Sequence, residues 1–252
     1  MIEKYNFNVD FGLGFEQYLF FEGGSGTIQY QTSGMASPEI LDLTQYPAGM
    51  NIVKLSNLPS SGSSLLTFTV NVAPVTLYGV NILNETLPGI IVNKLGGSGS
   101  RTTHWVNAMN AKWSAAFTNL APDLTTIMLG TNDQGSNLTA STFRTNLLTM
   151  IDTIRAARPT TDILLIIPAE NNRPGGNTTA METYAKVMYD IAKNDRDVAF
   201  LNLQKSFGEK PSDYAYGSAR PWMIADGLHP DPETGGYAIS SAIIRAIQGK
   251  SL

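Results

Sequence analysis

The chain contains only two histidines, His104 and His229, and no cysteine. A mechanism that needs a neutral base near pH 7 must choose between these two side chains. Thiol nucleophiles, disulfides and Cys-ligated zinc are excluded. His229 lies in Asp226-Gly227-Leu228-His229-Pro230. An aspartate three residues before a histidine can bend back and accept from one imidazole nitrogen, which fixes the tautomer and leaves the other nitrogen as a general base. The plainer reading is an Asp-Gly turn with an incidental histidine, but a histidine in a polar turn favours chemistry over packing. His104 has Arg101 and Trp105 beside it and no acid at comparable spacing, and reads as a solvated helix-end residue.

Two further loops carry polar groups suited to a developing negative charge. Gly96-Gly97-Ser98-Gly99-Ser100 can aim backbone N–H groups at an anion or oxyanion, although no Gly-Lys-Ser/Thr follows to make it a phosphate loop. In Gly130-Thr131-Asn132-Asp133 an uncharged amide, Asn132, can donate to an oxyanion, while turn formation is the competing explanation. Arg173, in Asn171-Asn172-Arg173-Pro174-Gly175, is a weaker candidate for contact with substrate. No His-x-x-x-His pair or calcium-type carboxylate loop is present, so neither a metal nor an organic cofactor is expected. Asp123 and Asp133 flank one strand at a separation that gives glycoside cleavage little support.

The elements that must position these loops fall into two rhythms. Up to about Ile82, short apolar segments (18–21, 27–30, 51–55, 65–72 and 75–82) alternate with Gly, Ser, Asn and Pro clusters, which predicts a small β-sandwich over residues 1–85. From residue 86 to 252 strands and helices alternate. Strands are expected at 89–95, 123–129, 162–167 and 198–203, and helices at 103–120, 139–157, 178–194 and 234–248. This pattern predicts an α/β domain, a parallel sheet with helices on both faces, whose ligand-bearing loops follow the carboxyl ends of the strands. All three chemical loops fall at such ends or just before the last helix. The segment 83–88 is the expected boundary.

The chain has 252 residues, enough for one large or two modest domains, and a net charge of −4. No run of Lys and Arg could neutralise a phosphate backbone, which argues against nucleic acid. No apolar stretch is long enough to span a membrane. The N-terminal residues lack the basic start and apolar middle of a signal peptide. Charged residues make up only 15% of the chain, with hydroxyl and amide residues in their place. This composition suits an extracellular or virion-associated protein exported by another route, such as lysis of a host cell.

Taken together, Leu95-Gly96-Gly97-Ser98-Gly99-Ser100, Gly130-Thr131-Asn132-Asp133 and Asp226-Gly227-Leu228-His229-Pro230 resemble the second, third and fifth blocks of the SGNH (GDSL-like) hydrolases over residues 89 to 249. The resemblance implies a flavodoxin-like, three-layer fold and Ser-esterase chemistry. Asp226 would orient the His229 base, and Gly99 N–H with the Asn132 amide would form the oxyanion hole. The family's first block, a buried strand ending in Gly-Asp-Ser, occurs nowhere in the sequence. Its nearest echo, Val9-Asp10-Phe11-Gly12-Leu13-Gly14, ends in a residue without a side chain, and Ser98 and Ser100 lie where the family holds no nucleophile.

Some SGNH esterases of phage tail spikes and fibres resemble this arrangement, with a carbohydrate-binding-like β module interrupting the hydrolase after its first block. The resemblance therefore implies the downstream part of a split carbohydrate O-acetyl esterase acting on polysaccharide. Its first strand and Ser would come from another polypeptide, and the isolated chain would be inactive. The sheet position left by that strand is expected to be filled by the other polypeptide or by Tyr5–Val9. The alternative is a non-catalytic virion receptor-binding or structural subunit with a disabled hydrolase fold; a homo-oligomer would suit either setting.

Overall fold

A computed structural model describes residues 4–11, 15–84, 86–173, 176–208 and 210–249. The chain divides into two compact units, Met1–Leu95 and Gly96–Leu252. Among the described residues of the first unit there are seven strands: β1 (Lys4–Phe11), β2 (Phe15–Gly23), β3 (Thr27–Gln31), β4 (Glu39–Asp42), β5 (Gly49–Lys54), β6 (Gly62–Val72) and β7 (Leu77–Asn84). They form two antiparallel sheets, ordered β1-β6-β3-β4 and β5-β2-β7. Because side chains alternate across a strand, Leu19 and Phe21 of β2 share one inward row. They meet Ile28, Tyr30, Leu66 and Phe68 of the other sheet in a single apolar core. The two antiparallel sheets share this core.

Two expectations for this unit are corrected. Tyr5–Val9 does not complete a parallel sheet, because β1 pairs antiparallel with β6, Tyr5 opposite Phe68 and Phe7 opposite Leu66. Phe7 also packs edge-on against Phe68, with ring centroids 5.8 Å apart. The run 89–95 is not a buried strand: it has no regular structure, and Ile90 and Val92 are 90% and 77% exposed. β-Branched residues favour an extended chain, but a strand persists only where a neighbour takes its N–H and C=O groups. None of the described strands pairs with this run.

The second unit contains α1 (Thr102–Ala108), α2 (Ala111–Leu120), β8 (Leu124–Met128), α3 (Thr131–Gly135), α4 (Ala140–Ala157), β9 (Asp162–Ile167), α5 (Met181–Asn194), β10 (Val198–Asn202), α6 (Leu203–Phe207) and α7 (Thr234–Ile247). The single helix expected over 103–120 is two helices. Asn110 restarts the chain by accepting from the N–H groups of Lys112 and Trp113 at 3.0 and 3.2 Å, the usual work of an N-cap. The sheet is parallel with order β10-β9-β8.

β9 reads Asp-Ile-Leu-Leu-Ile-Ile because both of its faces are covered. Ile163, Leu165 and Ile167 join Phe143, Leu147, Tyr184 and Met188 of α4 and α5. Leu164 and Ile166 join Leu203, Phe207 and Ala242 on the opposite face. Each such side chain, fully buried, stabilises the fold by roughly 1.5–3 kcal/mol. β8 differs. Ile127 is buried on the α4 side, but Leu124 and Met128, on the face that Leu164 and Ile166 share, are 37% and 46% exposed.

Candidate active site

The loop before α7 brings its acid and base together. Asp226 Oδ2 accepts from His229 Nδ1 at 2.7 Å, and Oδ1 accepts from the backbone N–H groups of Leu228 and His229 at 2.8 and 2.9 Å. The bond from His229, followed by the two backbone donors, pulls the Asp226 carboxyl down to about 2. An ionised Asp226 holds the proton on Nδ1, so Nε2 carries the free lone pair of a general base. The His229 side chain is 68% exposed, open to a reacting group. Ile224 N–H donates to the His229 carbonyl at 3.0 Å and closes the base of the loop.

Asn132 lies in α3, directly after β8 and capped by Gly130. Its Nδ2 donates to the Ser100 carbonyl at 3.2 Å and draws the Gly-rich loop against the tip of β8. That loop turns back on itself, Ser100 N–H donating to the Gly97 carbonyl at 3.0 Å, with Gly99 in the left-handed region at φ +71°. A residue with a Cβ would be strained at Gly99. Asp133 is fully buried; its Oδ1 accepts from Thr102 N and Thr102 Oγ1 at 3.0 and 2.6 Å. Asn146 Nδ2 donates to the same hydroxyl at 2.9 Å. Asp133 Oδ2 is buried and finds no donor among the described residues.

Arg173 and its neighbours join these two constellations. Arg173 Nη2 donates to the Thr131 carbonyl at 3.0 Å, and Nε donates to Asn171 Oδ1 at 3.1 Å. One residue earlier, Asn172 N–H donates to the Gly227 carbonyl at 2.8 Å. Gly227 has φ +67°, and a Cβ there would stand 2.3 Å from the Asn172 carbonyl oxygen, so no other residue fits between the loops. A continuous chain of contacts thus runs from Gly99-Ser100 through Asn132 and Arg173 to Asp226 and His229. Arg173 braces the segment that carries Asn132 through Nη2, and its own loop through Nε.

Glu170, at the tip of β9, was not singled out from sequence. Its Oε1 accepts from Gln134 Nε2, Asn171 N and Asn177 Nδ2 at 2.8, 3.0 and 3.2 Å, and Oε2 accepts from Met181 N at 2.7 Å. Its position at the carboxyl end of the central strand was the signal available. His104 stands against Arg101, Nη2 to Nε2 at 2.9 Å, at the start of α1. The Ser100 hydroxyl accepts from the Trp105 indole N–H at 3.2 Å. Among the described residues no group of His, Asp and Glu is arranged to hold a metal ion. Among the described residues no helix is long and apolar enough to cross a membrane.

The loop of the Asp226–His229 dyad is thus tied, through Asn172 and Arg173, to the segment that carries Asn132. No curated protein sequence matches the chain. Its fold is similar to that of a peptidoglycan O-acetylesterase, with 16% identity, a TM-score of 0.70, and coverage of 98% of this chain and 77% of the other. Lower similarity reaches a family two carbohydrate esterase from Clostridium thermocellum solved with cellohexaose (16% identity, TM-score 0.42, 98% and 93% coverage). A family 3 carbohydrate esterase from Talaromyces cellulolyticus stands at the same level (17%, 0.43, 61% and 70%). Residues 73–238 match the model of the GDSL-like lipase/acylhydrolase family. With its parallel sheet, its Asp226–His229 dyad and that match in hand, the chain belongs to the GDSL-like (SGNH) acylhydrolases.

Proposed function

We propose that this chain is the base and oxyanion-hole part of a carbohydrate O-acetyl esterase acting on polysaccharide, and that its serine is carried by another polypeptide. The observation that carries the reading is the tie, through Asn172 and Arg173, between the Asp226–His229 pair and the Asn132–Ser100 contact. The serine hydroxyl gives its proton to His229 Nε2 as its oxygen bonds to the ester carbonyl carbon. Asn132 Nδ2 and Gly99 N–H hold the oxyanion that forms. Collapse breaks the bond to the sugar oxygen, which leaves with the proton from His229. Water, deprotonated by the same imidazole, then releases acetate and restores the serine.

The substrate class is supported by the likeness in fold to a peptidoglycan O-acetylesterase. An outside serine is supported by the absence of Gly-Asp-Ser and by two features at β8. Its outer edge has no partner strand among the described residues, and Leu124 and Met128 are uncovered beside it. At the tip of the same strand, Asp133 Oδ2 lacks a donor. A strand–turn–helix segment laid along that edge would pair the edge, cover the face and bring N–H and O–H groups to the tip.

The test is aryl-acetate hydrolysis together with fluorophosphonate labelling of the isolated chain and of the chain assembled with its proposed partner polypeptide. The expected result is no turnover by the chain alone, and a labelled serine on a different polypeptide in the assembly. Rapid turnover by the purified chain, abolished by His229→Ala, would overturn it and place the nucleophile within residues 1–252. An assembly that neither hydrolyses acetates nor takes the label would instead favour the second reading, a binding subunit without catalysis, which the missing Gly-Asp-Ser motivates.

A further inference from the structure

The inward row of β2 runs Phe15, Gln17, Leu19, Phe21, since alternate residues of a strand share a face. Leu19 and Phe21 are fully buried in the core between the sheets, and the pattern calls for an apolar residue at 17 as well. Gln17 is there instead, 2% exposed, and its Nε2 finds no acceptor among the described residues. A buried donor left unpaired weakens the fold. The backbone at this point is ordinary: Leu55 N–H donates to the Gln17 carbonyl at 2.8 Å.

Gln17 lies in the wall of a cavity of about 430 Å³ in the first unit, within the roughly 300–1,000 Å³ of small-molecule sites. The rest of the wall comes from Phe15, Glu16, Lys54 and the turn 55–60. Phe15, also in the wall, is 40% exposed. Leu58 and Pro59 supply apolar surface, and Asn57, Ser56 and Ser60 supply amide and hydroxyl groups. The turn is held in place, with Tyr30 Oη accepting from Ser56 N at 3.1 Å and Asn57 Nδ2 donating to Glu39 Oε1 at 2.7 Å. Glu16 and Lys54 pair at 2.9 Å, so the two charges in the wall offset each other.

We propose that this cavity binds one sugar unit of a neutral glycan against Phe15, the Gln17 amide turning so that Nε2, shielded in the free chain, donates to a ring hydroxyl. A neutral pyranoside matches each element of the wall. Its C–H face suits an aromatic ring, its hydroxyls donate and accept at once as a mixed wall of amide, carboxylate and ammonium groups requires, and it brings no charge to disturb the Glu16–Lys54 pair. The inference does not rest on the esterase reading, since every residue it uses lies in the first unit.

The experiment titrates the full chain with cellohexaose and, separately, with N,N′-diacetylchitobiose, following backbone amide shifts by NMR and heat by calorimetry. Saturable binding of at least one probe is expected, with shifts centred on residues 15–17 and 54–60. Phe15→Ala should weaken it by tenfold or more. Gln17→Leu separates ligand recognition from packing: it should also weaken binding by tenfold or more, yet raise Tm by a few degrees, because an unpaired donor is replaced by an apolar side chain. No saturable binding of either probe, binding that both variants retain, or a Gln17→Leu variant that melts at a lower temperature would each overturn the proposal. His229→Ala should leave binding unchanged, so a failed esterase reading would not be mistaken for a failed glycan site.

Discussion

Asp226 makes three hydrogen bonds as an ionised carboxylate, all of them local to its own loop. Its carboxyl lies near 2 in the folded chain, below the ordinary value of about 3.9. The stabilisation it gives is therefore full above about pH 4 and is lost as pH falls through about 2. Carboxyl-carbon NMR should show an Asp226 midpoint near 2. In His229→Ala it should move towards, without reaching, the ordinary value, because the backbone N–H groups of residues 228 and 229 remain; an unmoved midpoint would mean that the imidazole is not its main partner. In the proposed reaction Asn132 acts on a charge that exists only while the ester is being cleaved. In the complete, serine-bearing assembly, Asn132→Ala should lower kcat by about 100- to 1,000-fold with little change in KM, and a change confined to KM would remove it from the oxyanion hole.

At the level of elements, the site is held by strand tips and by the contacts between their loops. Gly227→Ala places a methyl group 2.3 Å from the Asn172 carbonyl oxygen at a backbone angle that L-residues rarely adopt. It should separate the His229 loop from the Arg173 loop, lowering Tm and activity together. Melting and kinetics on one preparation check this; a neutral outcome would mean that the two loops do not depend on each other. The α1 start is tied to α3 through Thr102 and Asp133. Thr102→Val keeps the shape but removes one donor from a buried carboxylate that already lacks one at Oδ2. The expected cost is about 1.5–3 kcal/mol, the range for hydrogen bonds to charged groups, read from urea unfolding as a lower midpoint with an unchanged slope.

For the whole molecule the decisive question is what lies along β8. If the serine-bearing polypeptide pairs with its outer edge, amides of residues 124–128 should exchange with deuterium many-fold more slowly in the assembly than in the isolated chain. Equal exchange in both would place the partner elsewhere. Much of this architecture could be read without coordinates. The apolar run of β9, the periodicity of α4 and the turn clusters of the sandwich are local patterns, and local backbone and side-chain preferences determine them. The Asp226–His229 pair was legible for the same reason, three residues being a span that one turn can close.

The run 89–95 shows where local patterns stop. Its β-branched residues have the composition of a buried strand, but hydrogen bonds to a neighbour make a strand, and sequence does not say whether one is present. Tyr5–Val9 carried the opposite error: an extended segment could serve either sheet, and only the register against β6 decided between them. The roles of Glu170 and Arg173 were hidden likewise, because each bonds to groups contributed by other loops, Arg173 to a carbonyl 42 positions away. The sequence by itself determined the family blocks, the α/β rhythm and the dyad. The tertiary structure alone decided which edges are paired, which polar atoms are left without partners and how three loop tips meet, since those depend on contacts between residues far apart along the chain.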